Sequence, residues 1–284
     1  MTSSPIASPD YNQMATHFDR YLPQIQPVAT ALLAQLPAPA SGETILDIAC
    51  GTGEPGLTLA RRAAGVCILG VDRAEAMIAV ARSKAAREGL TNARFEVMAS
   101  ETLALADGSV DGVLSRFGLL MFGDVRASAQ ELARVLRPRG HFSLAVWDDM
   151  GKNTLFYTAL KVLRGYLPSD YASPVDGLNA WAGEGLRTQL LKDAGMAVVH
   201  SEMFSWAYHF DSFDEAWGLI SGMGNFTGQS TLPQSVQQQV AIEVSAALEA
   251  YRQSSGAYVI PHSCRLIWGP VSYTHLRAHE TVLD

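Results

Sequence analysis

Between Thr44 and Trp147 short apolar runs alternate with longer amphipathic stretches. The runs at 44–49, 66–71, 93–98, 110–115 and 140–147 predict strands, and the stretches at 54–64, 74–89 and 124–137 predict helices. In 74–89 the apolar stripe runs through Met77, Ile78, Val80 and Ala81. Arg137-Pro138-Arg139 followed by Gly140 predicts a helix stop before the fifth strand. Strand–helix alternation with short loops implies right-handed βαβ units and a parallel sheet. Ligands of such sheets bind at the carboxyl ends of the strands, where Asp47, Asp72 and the segments 98–101 and 115–118 converge.

Beyond Trp147 the pattern changes. All five tryptophans (147, 181, 206, 217 and 268) lie at or after this point. A helix is predicted at Asn153–Tyr166, a Pro/Gly/Ser-rich loop at Pro168–Gly185, a helix at Glu184–Ala194 and a strand at Ala197–Phe210. Helices follow at Phe213–Gly222 and Pro233–Ser254, and a strand at Ala257–Trp268. The expected fold is α/β, a Rossmann-like, doubly wound, mostly parallel seven-stranded sheet with helical lid insertions. One domain is expected over 1–270: an N-terminal helical cap over 1–41, a core over 42–150, and the end of the sheet with a helical lid over 151–270. Within the cap, Gln24–Leu36 predicts a helix. Val271–Thr281, VSYTHLRAHET, is polar and lacks the apolar pattern before it. It resembles an in-frame translation of a sequencing adapter, so 271–284 is expected to be a non-native tail.

Composition narrows the partners. The chain has 284 residues, 48% hydrophobic and 17% charged, enough to fill a sizeable core. A net charge of −7 without a basic block argues against a nucleic-acid partner. Three cysteines (50, 67 and 264) without metal-ligand spacing suggest neither disulfides nor a metal site, which fits a cytoplasmic protein. The N-terminus has no signal-peptide pattern, and the uncharged stretch Tyr21–Gly42 holds four prolines and is no membrane span.

The chemistry concentrates in Thr44–Ala60, TILDIACGTGEPGLTLA. A strand ends in an acid, a glycine turn follows, and a helix begins. Gly51-Thr52-Gly53-Glu54-Pro55-Gly56 also satisfies the dinucleotide-binding pattern, and a glycine turn alone is weak evidence. Asp47 and Glu54 flank the turn, and two carboxylates there disfavour a pyrophosphate. S-adenosylmethionine brings an ammonium and a sulfonium instead, and its one carboxylate can use backbone N–H groups. Asp72 closes the second strand about 20 residues after the turn, placed for two ribose hydroxyls or, alternatively, as a helix N-cap. Cys50 reads as a small packing residue within the turn.

The segments ILDIACGTG (45–53), LGVDRAEAMIAVAR (69–82), ASETLALADGSVDGVLSRFGLLMF (99–122) and ELARVLRPRGHFSLAVW (131–147) together resemble the class I S-adenosylmethionine-dependent methyltransferases. The likeness is to the type-11 group that includes ubiquinone and menaquinone C-methyltransferases. It runs over Tyr11–Trp147, weakening towards Trp268. The resemblance implies that the glycine-loop motif falls on Asp47, Ala49, Gly51 and Gly53, with Ala49 in place of the usual first glycine. If that position needs a positive φ, the methyl costs about 1 kcal/mol. The resemblance further puts Asp72 on the ribose and Arg73 and Met77 beside the adenine. Ala99 stands where the family carries an aspartate for the adenine amine; the Ser100 N–H and Glu101 are the expected substitutes. Ser115, Arg116, Phe117 and Gly118 fall on the motif at the methyl-transfer end, and Tyr11, His17 and Phe18 on the segment folding over the cofactor. His17 also reads as part of a packed amphipathic helix.

The methyl-end motif is not N/D-P-P-Y/F and no Pro-Cys nucleophile is present, which argues against methylation of DNA bases. The expected partner is a small, partly hydrophobic methyl acceptor, with some of Phe156, Tyr157, Tyr166, Tyr171, Trp181, Met203, Phe204, Trp206, Tyr208, Trp217, Met223 and Phe226 forming an apolar lid and the rest core. A general base, if needed, would come from His17, His209 or His262, with Arg116 orienting an anionic oxygen; the sequence names no catalytic residue among them. The acidic pair Asp148-Asp149 lacks a third ligand, so no metal is expected. The competing functions are a nicotinamide-dependent oxidoreductase and a non-catalytic protein of the same fold.

Overall fold

A computed structural model of the chain describes residues 10–169, 171, 182, 185–196, 199–222 and 228–271. The central strands are β1 (Thr44–Ile48), β2 (Cys67–Asp72), β3 (Ala93–Val97), β4 (Val110–Arg116) and β5 (Leu136–Val146), joined by α3 (Gly56–Arg62), α4 (Glu75–Arg87) and α5 (Val125–Val135). Before them lie α1 (Tyr11–Met14), two 3-10 turns and α2 (Gln26–Ala34). After them come α6 (Thr154–Leu163), α7 (Leu186–Asp193), β6 (His200–Phe210), α8 (Phe213–Gly222), α9 (Gln234–Leu248) and β7 (Tyr258–Pro270).

The seven strands form one sheet in the order β3-β2-β1-β4-β5-β7-β6. β1 pairs in parallel with β2 and β4, β2 with β3, and β4 with β5, while β7 runs antiparallel to both β5 and β6. The chain reverses direction across the sheet between β1 and β4, which opens a crevice at the carboxyl ends of those strands. β1 and β4 are buried on both faces, as helices on either side of a parallel sheet require. β6, the sheet edge, is largely exposed through Met203.

Most elements fall close to their predicted bounds, but the fifth strand does not. It begins at Leu136, directly after α5, without the helix stop at 137–139. Leu136 is already extended and fully buried, and Pro138 biases Arg137 towards extended backbone. The irregularity moves into the strand instead, as a register shift between Val110 and Gly112 opposite a left-handed Arg139. Val271, assigned to the tail by its sequence, exchanges backbone hydrogen bonds with Arg139 and Gly140 and is buried. The tail over 272–284, most of the loop predicted at 168–185, and Trp181, Met223 and Phe226 lie outside the described residues.

The N-terminal segment is docked by polar contacts at both ends. Asp19 accepts from the Thr52 hydroxyl at 2.6 Å and from Lys84 at 3.2 Å, and the Asn12 side chain accepts from the Ala76 N–H. Gln24 exchanges two hydrogen bonds with the backbone of His209, and its carbonyl accepts from the Trp206 indole. The cap thus spans from the glycine turn to the far sheet edge. Among the described residues no helix is long and apolar enough to cross a membrane.

Candidate functional site

The glycine turn is built around Asp47. The end of β1 carries its carboxyl group under the loop, where Oδ2 accepts from the Gly56 N–H at 2.9 Å. A Cβ on Gly56 would press on that oxygen, so the close approach requires glycine. Asp47 is fully buried, and its Oδ1 has no hydrogen-bond partner. Burial pushes its carboxyl up to about 8, against the opposing pull of the Gly56 hydrogen bond and the Arg116 charge.

Ala49 sits at φ 56°, in the left-handed region. Its methyl points at Gly118 at the end of β4, where a Cβ would overlap it. The missing glycine of the loop is therefore matched by a glycine across the crevice. Asp72, at the end of β2, accepts from the Gly51 N–H at 2.9 Å and from the Ala74 N–H at 2.8 Å. It ties the turn to the start of α4, whose N-cap is Ala74. Burial raises its carboxyl above the ordinary range, countered by those two hydrogen bonds.

These ends surround one cavity. Of the residues singled out by sequence, Phe18, Ala49, Gly51, Asp72, Arg73, Met77, Ser100, Arg116 and Phe117 line it. Asp47, Gly53, Ala99, Glu101 and Ser115 do not. Asp47 lies beneath the turn, and Glu101 is held at the rim by Arg73 at 2.7 Å and by the Ser100 hydroxyl. The Ser115 hydroxyl is buried and accepts from the Leu119 N–H. Glu54 lines the cavity, but its carboxylate accepts from the Thr58 N–H and hydroxyl and pairs with Arg61 at 2.8 Å. With Glu54 engaged and Asp47 beneath the loop, the repulsion expected for a pyrophosphate is weaker than the sequence suggests.

The other wall is aromatic. Tyr11, Tyr21, Phe122, Trp147 and Phe156 line it with Phe18 and Phe117. The Phe117 ring lies flat on Trp147 at 3.9 Å, and Phe117, like Ala49, is left-handed with φ 60°. Trp206 stacks behind that pair. The Tyr21 and Tyr208 hydroxyls meet at 2.8 Å in the interior, and Tyr208 stacks on His262 at 3.6 Å. Of the lid aromatics named from sequence and described, only Phe156 reaches the cavity; Tyr157 and Met203 are exposed. The wall instead comes from the cap and the ends of β4 and β5. Met98 and Tyr21 carry no motif signal, because their place depends on how distant segments pack.

None of the histidines considered as bases lines this cavity. His17 faces a second cavity, between the cap and α8, and His262 is buried with Nδ1 at 3.1 Å from the Ile260 carbonyl. Burial drives the His262 imidazole down to about 3, so it is neutral. Among the described residues no three His, Cys, Asp or Glu side chains are grouped to hold a metal.

Known proteins give this geometry a class. Residues 45–140 match a family model described as a methyltransferase domain. The chain is 33% identical over 178 residues to a demethylmenaquinone methyltransferase of Thermus thermophilus, covering 55% of this chain and 80% of that one. The chain belongs to the class I S-adenosylmethionine-dependent methyltransferases. Its particular likenesses include an uncharacterised protein of Mycobacterium tuberculosis, 32% identical over 153 residues; there the chain spans about half the relative's length (53%) and the match covers 54% of this chain. The YcgJ protein of Bacillus subtilis shares the fold, with a TM-score of 0.58 at 19% identity over 88% of this chain and 98% of that one.

Proposed function

We propose that this protein transfers a methyl group from S-adenosylmethionine to a small, partly hydrophobic acceptor in the cytoplasm. The observation that carries this reading is Asp72, whose side chain lines the cavity beside the glycine turn and opposite an aromatic wall. Asp47, buried beneath the turn with its Oδ1 unpartnered, favours through its field a cofactor that brings positive charge. Asp72 would receive the ribose hydroxyls with the lone pairs its two backbone hydrogen bonds leave. Met77, Met98 and Ser100 would flank the adenine, with the Arg73–Glu101 ion pair closing the rim. When bound, S-adenosylmethionine supplies an electrophilic methyl group on its sulfonium.

The rest of the work is positioning. Phe18, Tyr21, Phe117, Trp147 and Phe156 would hold the apolar body of the acceptor in line and keep water out. His17, His209 and His262 all lie outside the cavity lining and are not placed to move a proton there. The apolar part of such an acceptor fits the aromatic wall, and a cytoplasmic setting fits the free cysteines 50, 67 and 264.

Calorimetric titration of S-adenosylmethionine, S-adenosylhomocysteine and NAD into the protein tests the reading. Micromolar binding of the first two and none of NAD is expected. Binding of NAD alone would overturn it.

A further inference from the structure

Arg116 is a buried cation without a counter-ion. It closes β4, lines the cavity and is 8% exposed. Nη2 donates to the Glu54 carbonyl at 3.0 Å, while Nη1 is buried with no partner. Among the described residues no carboxylate lies within ion-pair distance of it. Asp47 is near enough to feel its charge but makes no contact, and burial holds much of that carboxyl protonated at neutral pH. Such a cation is costly unless a ligand brings the opposite charge.

Beside it stands a neutral donor. Tyr21 and Tyr208 share one hydrogen bond, which uses one of their two protons. Tyr208 is fully buried, whereas Tyr21 lines the cavity. With Tyr208 donating to Tyr21, the Tyr21 proton is free to point into the cavity. Burial keeps both phenols protonated. The surrounding walls, Phe117, Trp147 and Phe156, offer flat apolar surface and no charge.

We propose that Arg116 and Tyr21 form an anion receptor for the methyl acceptor, which is therefore an acidic compound, an ionised oxygen on a planar apolar body. The inference rests on reading the cavity as a methyl-transfer site. The competing anion is the carboxylate of the cofactor itself.

A matched probe pair separates the two. 1-Naphthoate and its neutral counterpart 1-naphthamide are titrated, by tryptophan fluorescence, into the protein saturated with S-adenosylhomocysteine. Naphthoate is expected to bind at least tenfold tighter than naphthamide. R116Q should erase that preference and Y21F should reduce it several-fold, each with S-adenosylhomocysteine affinity changed less than threefold. R116K keeps the charge without the fork and should retain part of the preference, which serves if R116Q does not fold. No preference in the unaltered protein overturns the proposal. So does a tenfold loss of S-adenosylhomocysteine affinity in R116Q with the naphthoate preference intact, which would give Arg116 to the cofactor. Failure of the unaltered protein to bind S-adenosylhomocysteine would instead sink the methyl-transfer reading beneath it.

Discussion

Ala49 holds a methyl group in left-handed backbone, and Gly118 leaves the space that methyl occupies. The two positions should be coupled. A49G is expected to stabilise the fold by about 1 kcal/mol through relief of the backbone strain. G118A should cost about 1–3 kcal/mol by overpacking. In the double variant most of that cost should vanish, a coupling of at least ~1 kcal/mol by urea unfolding; strict additivity would show that the methyl does not set this contact. Asp47 gives a second test. Its folded-state carboxyl lies at about 8 against an ordinary 3.8, so between these values the native chain holds a proton that the unfolded chain has lost. That contribution is full below 3.8 and is lost as pH rises through 8. His262 acts in the opposite sense: with 6.5 unfolded and about 3 folded, its contribution is present above 6.5 and lost as pH falls towards 3. The two oppose each other at mildly acid pH. D47N should therefore show stability rising with pH there, relative to the unaltered protein, by up to about 1.4 kcal/mol per unit. A cationic cofactor would also drive the Asp47 proton off. Titrations at pH 7 in buffers of different ionisation heat should show proton release on S-adenosylmethionine binding, absent in D47N. Asp47 and Asp72 were legible in sequence because each closes an apolar strand beside a glycine turn. Tyr21 and Trp147 were not, since their role arises from packing across the crevice.

At the scale of elements, local signals set most boundaries. Asp124 caps α5 by accepting from the N–H groups of Arg126 and Ala127, both at 3.0 Å. D124A should cost about 1 kcal/mol, read as a lower Tm. The junction of α5 and β5 shows where local signals stop. Arg137-Pro138-Arg139-Gly140 reads as a break, yet Leu136 is extended and buried, and pairing with β4 draws the residues after it into the strand. The expected aromatic lid met the same limit. Aromatic content predicts burial, but not which cavity a ring faces, and Trp206 and Tyr208 pack behind the wall rather than in it.

Across the whole molecule, alternation of strand and helix over 44–147 sufficed to foresee the parallel strands β1 to β5 of a mostly parallel sheet. The insertion of β7 between β5 and β6 depends on pairing between segments far apart in the chain, for which no local pattern exists. Shortening the chain after Val271 should leave Tm and S-adenosylhomocysteine affinity unchanged, because among the described residues the last sheet contact is the pairing of Val271 with Gly140 and Arg139. Ending it before Tyr258 should abolish cooperative unfolding in a thermal melt, since β6 would then lose its partner strand. That sheet order also imposes a schedule on biosynthesis. A ribosome releases β5 and β6 before the strand that joins them, so in the nascent protein the edges of β5 and β6 that β7 will cover stay open until Tyr258–Pro270 leaves the exit tunnel. The half that reads as cofactor-binding can assemble early, while the other half waits for β7, the interval in which chaperones and proteases compete for it.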